Sequence, residues 1–152
     1  MKTVTYLALG AFITLSQPAM AEPSINDMQG CQALIDFLNT KLDQTSYDSS
    51  DVAKVQDGLG AYNSYIQNEI VTPGLLKFSN GDQSKASKLQ EQVDAYKSQV
   101  VAGYNKRYPQ NRLFMDHVLA LDKCAQQAVP QGADLQALKT SMETMVAILK
   151  AS

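Results

Sequence analysis

Apolar residues in this chain recur every three to four positions, in five runs, and nowhere alternate over the length of a strand. That spacing lines the apolar side chains of each run along one face of a helix, and such a stripe is stable only when packed against another. The chain is therefore expected to be all-α.

The first run, about Asp27 to Gln44, carries Cys31, Leu34, Ile35, Leu38 and Leu42. The second, about Asp51 to Val71, carries Val52, Val55, Leu59, Tyr62, Ile66 and Ile70, with Ser49 or Ser50 placed to cap it. Pro73-Gly74 should stop or kink it, because proline has no backbone donor and clashes with the preceding turn. Leu75, Leu76 and Phe78 would then form one further turn. The third run, about Gln83 to Tyr108, can be capped by Asp82 or Ser84 and carries Ala86, Leu89, Val93, Tyr96, Val100 and Tyr104. The fourth extends from an Asn111 cap to about Ala128, with Phe114, Val118, Leu121 and Ala125 inward. The last opens at Ala133 or Asp134 and places Leu135, Leu138, Met142, Met145 and Leu149 in heptad spacing. Short connections force antiparallel neighbours. The expected fold is an antiparallel up-down four-helix bundle with an additional C-terminal helix, and 152 residues suit one such domain.

Residues 1–21 read as an address rather than as structure. Met1-Lys2 gives a positive start, an apolar run follows from Val4 to Leu15, and Ala19-Met20-Ala21 forms an A-x-A site. That is the pattern of a secretory signal peptide, with an apolar run too short to span a bilayer. Cleavage is expected after Ala21, leaving Glu22 to Ser152 as a single helical domain in the periplasm or outside the cell. Met28-Gln29-Gly30-Cys31 resembles a lipoprotein processing box only superficially, since Glu22 and Asp27 separate it from the apolar run. Losing Lys2 takes the net charge from −2 to −3. An acidic chain lacks the surface that displaces phosphate counterions, so no nucleic-acid partner is expected.

The two cysteines test the topology. In an exported protein a lone pair most simply joins. Cys31 lies about one turn into the first helix and Cys124 about one turn before the end of the fourth. In an up-down bundle those ends share a pole, so the inferred Cys31–Cys124 disulfide and the inferred topology agree. With no C-x-x-C in the sequence, the pair reads as structural rather than redox-active.

Parts for chemistry are scarce. There is one His, His117, no G-x-S-x-G and no paired spacing of metal ligands. His117, between Phe114 and Leu121, reads as a boundary residue with one hydrogen bond. No catalytic, cofactor or metal residue is assigned, and no cofactor is expected. Met28 near the start of the first helix is similar to the axial Met of the cytochrome b562 bundles. That resemblance implies a haem held between Met and His. Those proteins place the His near the end of the last helix, whereas here Tyr104-Asn105-Lys106-Arg107-Tyr108 offers Asn at a helix end. His117 would lie about 15 Å from Met28 along the bundle axis.

Two further groups are candidate contacts. Tyr62 and Tyr96 fall at one level of an antiparallel pair, with Tyr65 nearby, and could line a small-ligand pocket with polar tips. Lys106, Arg107 and Arg112 form the one basic patch, expected at the pole opposite the disulfide. Lys106 and Arg107 complement the dipole of a helix end, but Arg112 stands at a helix start and needs another reason. The sequence is thus read as an exported, non-enzymatic helical protein that binds a protein or an envelope component. The alternative is a small-ligand or haem carrier with its site inside the bundle. A narrow Leu/Met stripe on the last helix makes a homodimer conceivable.

Overall fold

The computed structural model describes residues 23–151, and the expected signal peptide and its cleavage site lie outside them. Those residues form five helical runs and, among them, no strand. The elements are α1 (Ile25–Leu42), α2 (Ser49–Tyr65), a π segment (Ile66–Val71), α3 (Thr72–Phe78), α4 (Gln83–Arg107), α5 (Met115–Gln127) and α6 (Gly132–Ala151). Their all-α, bundle-like packing is the one expected.

The helix ends follow side-chain chemistry. Ser24 caps α1 by accepting the Asp27 N–H at 3.0 Å, and Asp82 caps α4 by accepting the Lys85 N–H at 3.1 Å. Asp48, not Ser49 or Ser50, caps α2, accepting from the N–H groups of Ser50 and Asp51. Its hydrogen bonds, that to the Ser50 side chain first, hold its carboxyl below the usual range.

Pro73 neither stops nor breaks the second run. The helix widens ahead of it into the π segment, where the Thr72 N–H reaches back to the Gln67 carbonyl. Widening one turn separates the proline ring from the carbonyl it would otherwise strike, so the helix continues to Phe78. It ends where Asn80 and Gly81 take positive φ of 53° and 81°, with the Gly81 N–H on the Leu76 carbonyl at 2.9 Å.

α1 is the axis of the molecule. It packs against α2, the π segment, α4 and α5, and Phe37, Leu34, Ile35 and Leu38 are fully enclosed. α6 lies on α2 and, less extensively, on α5. Gly58 permits that closeness, because a Cβ there would run into the Ala137 carbonyl and Ser141. Ser141, buried at the same contact, donates to the Val55 carbonyl at 2.9 Å. Cys31 and Cys124 are bonded, with Cα atoms 5.7 Å apart, joining α1 to α5 as the topology required.

Candidate functional site

At the end of the bundle away from the disulfide, α1, the end of α4 and the start of α5 build an aromatic cluster. Phe37 stacks on Tyr104 at 5.3 Å and meets the edge of His117 at 5.2 Å. Tyr108 and Phe114 complete the enclosure, at 4.7 and 5.4 Å from the His117 ring. The sequence places these residues together because Pro109 ends α4 and only residues 108–114 separate it from the next helix. That helix begins at Met115 with Phe114 as its N-cap, not at the expected Asn111. Phe114 has no side-chain oxygen to offer, so the cap works in reverse. His117, three residues on, accepts the Phe114 backbone N–H on Nδ1 at 3.2 Å. The proton of the neutral ring is therefore on Nε2, which is buried and has no hydrogen-bond partner. Burial pushes the His117 pKa down to about 4; Lys41 adds to the effect and Asp116 opposes it.

Cations surround this cluster. The Lys41 ammonium stands 5.4 Å over Phe37, the Arg107 guanidinium 5.5 Å over Tyr108, and the Arg112 guanidinium 4.7 Å over Phe114. Each is within the range of cation–π attraction. Lys106 is exposed beside Arg107. Lys41 is only 4% exposed, its stem packed into the fold. Among the described residues none of these four cations makes an ion pair; the pairs formed elsewhere include Lys54–Asp51, Lys85–Asp82 and Lys97–Asp36. Carboxylates of the neighbouring loop are already engaged: Asp43 accepts from Gln56 at 2.7 Å and Asp48 caps α2. Tyr47 ties that loop to the basic one by accepting the Leu113 N–H at 3.2 Å.

The tyrosines do not form the expected group. Tyr62 is fully buried and donates to the Ala128 carbonyl at 3.0 Å; burial first, and then the neighbouring Tyr65, raises its phenol pKa. Tyr65 stacks on it and donates to Val129 at 3.1 Å. Tyr96 lies on α4, 46% exposed, and no ring contact joins it to Tyr62 among the described residues. The two hydroxyls face the α5–α6 connection instead of a shared cavity. Met28 is fully buried one turn before Cys31, while His117 lies against Phe37, nine residues further along α1. That is about 13 Å of helix rise, so the two side chains are not at one level.

A second feature escaped the sequence. Gln29 and Gln32 occupy buried positions of α1 and start a chain of amides. Gln29 donates to Gln32 at 2.9 Å, Gln32 to Gln67 at 3.2 Å, Gln67 to Gln90 at 2.9 Å and Gln90 to Asp94 at 2.9 Å. A carboxylate only accepts, so Asp94 fixes the direction of every amide behind it. The Gln29 carbonyl oxygen at the inner end is left without a donor. The outer members line an open groove of about 520 Å³ between α3 and α4, with Leu75 and Leu76 opposite. Two glutamines beside the apolar stripe of the helix with the most buried residues were the available signal.

Among the described residues, no helix is long and apolar enough to cross a membrane, and no group of three or more His, Cys, Asp or Glu could hold a metal ion. No protein family, curated protein or solved structure matches the chain.

Proposed function

We propose that this chain is an exported, non-enzymatic binding protein, directed by a leader cleaved after Ala21, that grips an anionic partner at its basic aromatic pole. The observation that carries this reading is the set of cations without carboxylates: Lys41, Arg107 and Arg112 over the rings of one cluster, with Lys106 beside them. Rings beneath the guanidinium groups hold them in place, which lowers the entropy lost when an anion arrives. Unpaired surface cations also steer an acidic partner toward this end of an otherwise acidic molecule.

The test is binding to an acidic peptide and to vesicles containing an anionic lipid, at low and high salt. Binding to either probe, weakened by salt and reduced at least about tenfold by Arg107→Glu with Arg112→Glu, supports the reading. Binding that ignores both charge reversal and salt, or no binding to either probe, removes it. The groove holding Gln67, Gln90 and Asp94 favours a second reading, a small-ligand carrier. Native mass spectrometry of the exported protein separates the two, since a carrier shows added mass at fixed stoichiometry.

A further inference from the structure

The basic pole also exposes hydrocarbon. Met115 and Leu119 are 44% and 55% exposed, although His117 and Val118 between them are buried. Four residues apart on α5, they share one face of the helix, one turn from each other. Met115 directly follows Phe114, whose ring carries the Arg112 guanidinium. From there the rings run inward without a break. Phe114 meets Tyr108 at 5.6 Å, with Arg107 over Tyr108, and Tyr108 meets Phe37 at 6.1 Å, with Lys41 over Phe37. Cations, rings and exposed apolar side chains thus belong to one end of the molecule.

Lys41 is the cation that most needs a partner. It is almost wholly buried, yet its ammonium makes no ion pair or hydrogen bond among the described residues and faces only the Phe37 ring. A charge drawn out of water without a counter-charge is costly, and an arriving anion offsets that cost.

We propose that this pole docks on an anionic lipid leaflet, with Met115 and Leu119 among the acyl chains and Lys41, Lys106, Arg107 and Arg112 on the phosphates. The inference rests on the reading above that the pole takes an anionic partner, and it names that partner. The occupant has to offer negative charge and hydrocarbon side by side. A leaflet does so across its whole surface, with headgroup anions directly above acyl chains. A purely acidic segment would satisfy the cations and leave Met115 and Leu119 in water. About 6 Å of helix rise separates those two, so both fit within the roughly 5–10 Å depth that interfacial segments reach. Tyr108, half-buried between them and the cations, suits the boundary where an aromatic ring meets headgroups.

Charge elsewhere sets the orientation. The chain is acidic as a whole, so an anionic surface repels its other faces. At this end Asp116 is the carboxylate of the first turn of α5, against four cations. Asp122, about two turns in, already accepts from Gln126 at 2.7 Å.

Vesicle sedimentation and fluorescence test the docking. The wild type should bind vesicles of equal parts phosphatidylglycerol and phosphatidylcholine and leave phosphatidylcholine vesicles alone. Met115→Ser with Leu119→Ser, at exposed positions, should keep its helical circular dichroism and bind the mixed vesicles at least about tenfold more weakly. Its behaviour toward a polyglutamate peptide should match that of the wild type. The chain contains no Trp, so a single introduced one reports its own surroundings. Leu119→Trp should shift its emission to the blue on the mixed vesicles, and Phe78→Trp, beside Ile25 at the opposite end of α1, should not. Binding to polyglutamate without binding to the mixed vesicles overturns the leaflet and leaves an anionic partner in place. Equal binding to phosphatidylcholine alone, a serine pair that binds vesicles as the wild type does, an unshifted Leu119→Trp or a shifted Phe78→Trp also overturns it. Binding to neither probe, or vesicle binding untouched by Arg107→Glu with Arg112→Glu, removes the underlying reading as well.

Discussion

α1 buries eleven of its eighteen residues, whereas α4, the longest helix with twenty-five, buries none completely. Both carry an apolar stripe, and the two pack against each other. The difference lies in how many neighbours each has. α1 meets helices on several sides, so even its glutamines and Lys41 are enclosed. α4 rests mainly along α1 and α3, and its Gln, Lys, Ser and Glu residues keep it helical on a solvated face. The longest helix is thus a cover for the molecule, and the shorter α1 is its framework.

Three measurements bear on that contrast. Replacing Cys31 and Cys124 together by Ser releases α1 from α5 and reopens a loop of 93 residues. The expected loss is about 4–5 kcal/mol in denaturant unfolding, and a loss below about 1 kcal/mol would show that packing alone holds the framework. Next in size is a paired substitution. Phe37→Ala, on α1, should cost about 3–5 kcal/mol, and Leu89→Ala, half-buried on α4, under about 2 kcal/mol. Equal losses would break the distinction between framework and cover.

The third concerns the cluster where both helices meet α5. The His117 pKa is lowered to about 4 in the fold, against about 6.5 in the unfolded chain. Between these values the unfolded chain takes up a proton that the folded chain refuses. His117 therefore supports stability above the unfolded value, and that support is lost as pH falls toward 4, by about 3 kcal/mol in total. His117→Gln keeps an acceptor at the third helical position while removing the titration. The difference between wild type and variant in urea midpoint, followed from pH 7 to 4, should show this slope; a flat difference would remove His117 from the pH response.

Much of the architecture was legible because helical periodicity reports burial directly. Each apolar run became a helix, and the Cys31–Cys124 bond followed from which helix ends share a pole. What escaped was decided by contacts between distant residues. Asn111 is a good cap in isolation, yet Phe114 takes the position because His117 supplies the acceptor and the cluster holds both. Pro73 forbids an ordinary turn, and whether a helix stops or widens there depends on the packing of Leu75 beyond it. Spacing along the helices put Tyr62 and Tyr96 at one level, but it says little about rotation around a helix once another helix, here α6, covers the same neighbour. Lys106, Arg107 and Arg112 were visible as charges; that Arg107 and Arg112 stand over rings, and that Lys41 joins them, required the fold.

The position of the disulfide also governs how the molecule responds to mechanical load. If the chain is pulled from its two ends, tension entering at α1 crosses the sulfur–sulfur bond at Cys31 and leaves through Cys124 toward α6. The 93-residue segment between them is bypassed. The full extension is shorter by roughly 320 Å than that of the reduced chain. α2, the π segment, α3 and α4 lie outside the path of the force, and α6 is the one long helix that can be drawn out before the bond carries the load.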